Sequence, residues 1–129
     1  ALGAKVLSLS KSLNSICSLN ISYNRIEPLG IHSLANSDFG RQLKFLQLRD
    51  TCLGNEGMKS FSSFRLDELE SLDLSDNSIS DAGLETLAIS NSFPNIKKLV
   101  LNNNHIEDDG IYALSQSNMF CNLDFFEFC

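Results

Sequence analysis

Apolar residues recur along this chain in one pattern, with a period of 26 or 27 residues. The stretch from Leu69 to Leu87 shows it in full: Leu69, Leu72 and Leu74, then Asn77, Ile79, Gly83 and Leu87. Laid over the whole chain, the opening position is Ile16, Leu43, Leu69, Ile96 and Leu123. The fourth position holds Leu19, Leu46, Leu72, Leu99 and Phe126, and the sixth Ile21, Leu48, Leu74, Leu101 and Phe128. Leu72-Asp73-Leu74 alternates in-out-in, which predicts a short strand with one buried face in each unit. A polar column follows at Asn24, Thr51, Asn77 and Asn104, and an apolar one at Ile26, Leu53, Ile79 and Ile106.

Beyond that turn the spacing changes to a helical one. Leu84, Leu87 and Ala88 fall at i, i+3 and i+4 and mark an inward helical face. Ile31/Leu34/Ala35, Met58/Phe61 and Ile111/Leu114 repeat it. Gly3, Gly30, Gly57, Gly83 and Gly110 form a column at the helix start, where a missing Cβ lets neighbouring units lie close. Ser80 and Asp81 stand where a side chain can cap free N–H groups, and Pro28 suits a first helical turn. Return loops carry Leu13, Phe39, Leu66, Phe93 and Phe120, expected to plug the bottom of the core.

One domain, 1–129, therefore divides into a partial unit 1–15, units 16–42, 43–68, 69–95 and 96–122, and a partial unit 123–129. Stacks end in atypical repeats with a polar outer face, and neither end here has one. The expectation is an excerpt of a longer protein, with Phe126 and Phe128 covered by residues outside this sequence.

The L-x-x-L-x-L-x-x-N-x-I pattern with its glycine column resembles the leucine-rich repeat. The helical second half of each unit, the x-D-x-G-x-x-x-L continuation and the repeat length resemble the ribonuclease-inhibitor-like subclass. The resemblance implies an α/β solenoid, a right-handed β-α superhelix with a parallel sheet on its concave face and helices on its convex face. Members of that class include inhibitors, Ran-system GTPase activators, immune receptors, actin-capping proteins and pathogen effectors, so the fold is specified and the function is not.

A net charge of −6 argues against phosphate-backbone partners, and the ten basic residues read as scattered. No apolar run approaches the roughly 18 residues of a membrane span, and no charged-then-apolar stretch of the leader kind is read ahead of the first repeat. Cys17, Cys52, Cys121 and Cys129 form no C-x-x-C pair, and reduced thiols are the favoured reading. The expectation is a soluble intracellular, cytoplasmic protein without nucleic-acid, membrane or small-molecule partners.

Asn24, Asn77 and Asn104 read as structural, their amides satisfying backbone groups of the turns, with Thr51 as a weaker rung. Cys17, Lys44, Glu70, Lys97 and Asp124 alternate in sign from Lys44 onward, which assigns that row to stacking. Asp50 and Asp76 should be like-charged neighbours unless Arg49 or a partner compensates; solvation competes with function as their explanation. Phe45, Val100 and Phe125 are apolar where polar residues are expected on the concave face, either as interface anchors or packed on cross-strand neighbours. His32 and His105 lie far apart in the frame, so no catalytic group, metal site or cofactor is expected. Asn20-Ile21-Ser22 matches a glycosylation acceptor but falls within a predicted strand, and is discounted.

The functional expectation is a non-enzymatic recognition module holding a protein partner on its concave face. The expected contact set is Tyr23, Phe45, Arg49, Asp50, Asp73, Asp76, Lys98 and Asn102, facing a basic or mixed patch. Five strands at about 4.8 Å span about 20 Å, so a standard interface of roughly 800 Å² would occupy most of that face. Two alternatives stand beside it. One is GTPase regulation of the Ran-activator kind, for which only Arg49 could supply positive charge to a transition state. The other is a structural subunit met through its convex helices.

Overall fold

One inward apolar residue flanked by two outward ones is enough for a three-residue strand, and in the computed structural model, which describes residues 2–129, each unit from 16–42 onward carries one near its start. These are β1 (Ser18–Asn20), β2 (Phe45–Gln47), β3 (Ser71–Asp73), β4 (Lys98–Val100) and β5 (Phe125–Glu127). They form one parallel five-stranded sheet in sequence order, and Leu19, Leu46, Leu72, Leu99 and Phe126 lie in register across it. Equivalent positions of successive units are therefore spatial neighbours, as the repeat pattern requires.

The helices α1 (Leu2–Ser8), α2 (Glu27–Ala35), α4 (Gly54–Ser62), α5 (Asp81–Ala88) and α6 (Asp108–Ser115) stack in the same sequence on the opposite side, with α3 (Asp38–Arg41) following α2. Between the two layers lies one core, in which Leu48, Leu69, Leu72, Leu74, Ile79, Leu84, Leu87 and Phe93 are fully buried. Phe39, Leu66, Phe93 and Phe120 are all buried at the bottom of the core, and the Phe61 and Phe93 rings meet edge to face at 5.4 Å. Phe39 stands four residues before Leu43, where the other loop residues stand three before the opening position of the next unit, and the offset has a local cause. Ser37 accepts the Gly40 N–H at 2.9 Å and starts the extra turn α3, and a Cβ at Gly40 would lie 1.8 Å from the Leu34 carbonyl oxygen.

The asparagine column is an inner ladder. Asn77 Oδ1 accepts from the backbone N–H of Thr51 and Leu53, at 3.1 and 3.2 Å, while its Nδ2 donates to the carbonyls of Leu48, Leu74 and Ser75. Asn104 repeats this one unit on, accepting from Asn77 and Ile79 and donating to Leu74, Leu101 and Asn102. Thr51 breaks the series: its hydroxyl donates to Leu48 O at 2.7 Å, and the Ile26 N–H turns to Asn24 O instead. The exposed Asn24 donates only within its own turn, to Ile21 and Ser22.

A second ladder corrects the capping expectation. Ser80 makes no side-chain cap on α5; its hydroxyl accepts from Asn55 Nδ2 at 2.8 Å and its N–H donates to Asn55 Oδ1 at 2.9 Å. Asp81 Oδ1 likewise accepts the Glu107 N–H of the next unit at 2.7 Å. The side chain at the helix start thus holds the following turn rather than its own helix. This explains the close approach between units at Gly83 and Gly110, where a Cβ would lie 2.4 Å from Asn55 Oδ1 and 2.5 Å from Asp81 Oδ1; at Gly57 the crowding comes from Leu53 of its own unit, and Gly3 faces open space.

Candidate concave interface

The outward positions of the strands make four rows. In the first, Ser18, Phe45, Ser71, Lys98 and Phe125 are in register. Phe45 is 44% exposed and stands between two serines, too small to cover a phenyl ring. Phe125 is different, because the Lys98 ammonium sits 5.0 Å from its ring centre in a cation–π arrangement. In the second row Asn20, Gln47, Asp73, Val100 and Glu127 are in register, and Val100 is buried, so it does not serve as an exposed anchor.

Asp73 is held in place by its own turn. Its Oδ1 accepts from the Ser75 N–H at 2.9 Å and the Ser75 hydroxyl at 2.6 Å, and Ser75 is buried. The two-residue spacing of Ser75 from Asp73 is the sequence signal for this Asx-type turn. In the third row, Ser22, Arg49, Ser75 and Asn102, Arg49 reaches across to Asp76 of the fourth, with Nε 2.7 Å from Oδ2. That oxygen is buried and has the guanidinium beside it as charge partner, without an aligned hydrogen bond. The Asp50/Asp76 repulsion anticipated from the spacing is therefore relieved on the Asp76 side, while Asp50 is exposed. Asn102 Oδ1 accepts a weak contact from Cys129 Sγ at 3.4 Å.

The fourth row is backbone-defined. Tyr23, Asp50, Asp76 and Asn103 all adopt left-handed backbone, with φ of 62, 51, 56 and 55°. In that conformation the N–H groups of Tyr23, Asp50 and Asp76 bond Arg49, Ser75 and Asn102 of the following unit. The structure thus brings Arg49 to Asp76 and Asp73 to Ser75, and leaves Lys98 with Phe125. In the stacking row Lys97 and Glu70 approach to 3.7 Å.

Charge is less scattered than the sequence reading held. From Leu66 onward Lys97 and Lys98 are the only basic residues, against twelve Asp and Glu. Among the described residues no group of three or more His, Cys, Asp or Glu is placed to hold a metal ion, and no helix is long and apolar enough to cross a membrane. All four cysteines are free and exposed.

A family model of the leucine-rich repeat matches residues 12–35 and 41–62, and a model of two consecutive leucine-rich repeats matches residues 67–113. Comparison with curated proteins finds no match. The matched segments take in most of the chain, and together with the open parallel sheet and its stacked helices they make this a leucine-rich-repeat protein.

Proposed function

We propose that the concave face binds a protein partner, with Phe45 as the apolar anchor and Asp50, Asp73 and the Arg49–Asp76 pair as the polar surround. Leucine-rich repeats generally mediate protein–protein interaction. The observation that carries the assignment to this face is Phe45, a large aromatic left uncovered between Ser18 and Ser71. Exposed aromatics beside charged groups are the usual anchors of interfaces. Tyr23, 69% exposed, extends the surface toward the first unit, and Lys98 and Asn102 extend it toward the last. The partner presents an apolar side chain with basic or mixed charge around it. The helical convex segments support the ribonuclease-inhibitor-like subclass, and a soluble intracellular setting agrees with four unpaired thiols.

Affinity capture with the purified segment tests this. A prey recovered by the wild type should be lost, by about tenfold or more, with Phe45→Ala and with Asp50→Lys/Asp76→Lys, in folded variants. Unchanged recovery with both would overturn the reading. The GTPase-regulating alternative draws on Arg49 alone, which Asp76 already engages; absence of turnover acceleration by the wild type would remove it.

A further inference from the structure

On the convex side, α5 and α6 enclose a shallow groove of about 600 Å³ floored by Ala88 and Ala113. Its walls carry two large apolar side chains that nothing covers: Ile89, 89% exposed, and Tyr112, 67% exposed. A β-branched side chain this open to water at a helix end contributes nothing to the core, whose apolar face points the other way. Glu85 and Asp109 form the rim. Neither helix has a basic residue in its last turn, so the negative dipole ends near Ile89 and Gln116 and the mid-helix Glu85 carboxylate have no cation on their own helices, while Asp109 lies in the first turn of α6. The nearest basic residues in sequence, Lys97 and Lys98, belong to the strand side, where they face Glu70 and Phe125.

We propose that this groove is a second docking site, for a short cationic segment of a partner protein in which a bulky apolar side chain is flanked by Lys or Arg. The apolar side chain would enter between Ile89 and Tyr112, and the flanking cations would meet Glu85, Asp109 and the helix ends. Charge complementarity selects this occupant. An acidic peptide, a nucleic acid or an anionic membrane would meet like charge.

The test uses a fluorescein-labelled peptide with a central leucine flanked by lysines, and two controls, one with glutamates for the lysines and one with serine for the leucine. Fluorescence anisotropy should show binding of the first alone, weakened by salt. Ile89→Ser and Glu85→Lys should each weaken it about tenfold, while Asp76→Arg on the concave face should leave it unchanged. Ile89 is nearly fully exposed, so its replacement leaves the fold intact, which circular dichroism verifies. Binding lost with Asp76→Arg but kept with Ile89→Ser, equal binding of the serine control, or no binding would each overturn the proposal. Sedimentation showing self-association abolished by Ile89→Ser, with no peptide binding, would overturn it too, by giving the groove to a second copy of the chain.

Discussion

Arg49 and Asp76 sit on adjacent units, and their side chains meet at 2.7 Å across the sheet. Both are partly exposed, at 42% and 32%, so water screens the attraction. A double-mutant cycle of Arg49→Ala and Asp76→Ala, read by urea denaturation, should give a coupling of about 0.5–1 kcal/mol that shrinks with salt. A coupling indistinguishable from zero would mean the pair is incidental.

Asn77 should matter far more than Asn24. Removing its amide strands the buried N–H groups of Thr51 and Leu53 and several carbonyls, at a cost of about 2–4 kcal/mol. Asn24→Ala loses only bonds within an exposed turn and should cost about 1 kcal/mol or less. Equal midpoint shifts for the two variants would remove the distinction between inner and outer rungs.

Where the ladder is interrupted it should be repairable. Thr51→Asn gives the first turn an amide that can accept from Asn24 and Ile26, as Asn77 does for Thr51 and Leu53. The expected gain is about 0.5–1 kcal/mol. Thr51 is fully buried, so a destabilised variant would show that the larger side chain does not fit and that the threonine is there for volume.

Gly83 and Asn55 should be coupled. Gly83→Ala pushes against Asn55 Oδ1 and should cost about 1–3 kcal/mol. In an Asn55→Ala background the same change should cost clearly less, since the remaining close contact is Ile79 Cγ2 at 3.0 Å. Additive losses in thermal melts would contradict this account of the glycine column.

Tyr23 carries backbone strain that asparagine would carry more easily, because short amides tolerate φ near +60°. Tyr23→Asn should raise stability by about 0.5–1 kcal/mol and weaken capture of a concave-face partner. A stabilised variant with undiminished capture would take Tyr23 out of the contact set.

The sheet, its register and the buried columns were legible because each depends on one residue type at one spacing, repeated until chance is excluded. Side-chain ladders between units were not. Whether Ser80 caps α5 or meets Asn55 depends on a distance between units that no spacing within one unit encodes. Arg49 had Asp50 and Asp76 within reach on the pattern alone, and only backbone geometry decided for Asp76. Val100 looked like an exposed anchor because strand alternation predicts direction and not cover. The acidic bias after Leu66 was readable from the start, but it gained meaning only when α5 and α6 were seen to share a groove.

The row Tyr23, Asp50, Asp76 and Asn103 lets chirality edit the vocabulary of the concave face. Most L-residues are penalised there, so selection for a new partner draws mainly on Asn, Asp and Gly, and any bulky replacement must recover its conformational cost from the complex. Changes in what this surface recognises should therefore accumulate in the two strand rows beside it, where the backbone accepts nearly any side chain, while this row keeps to small polar letters.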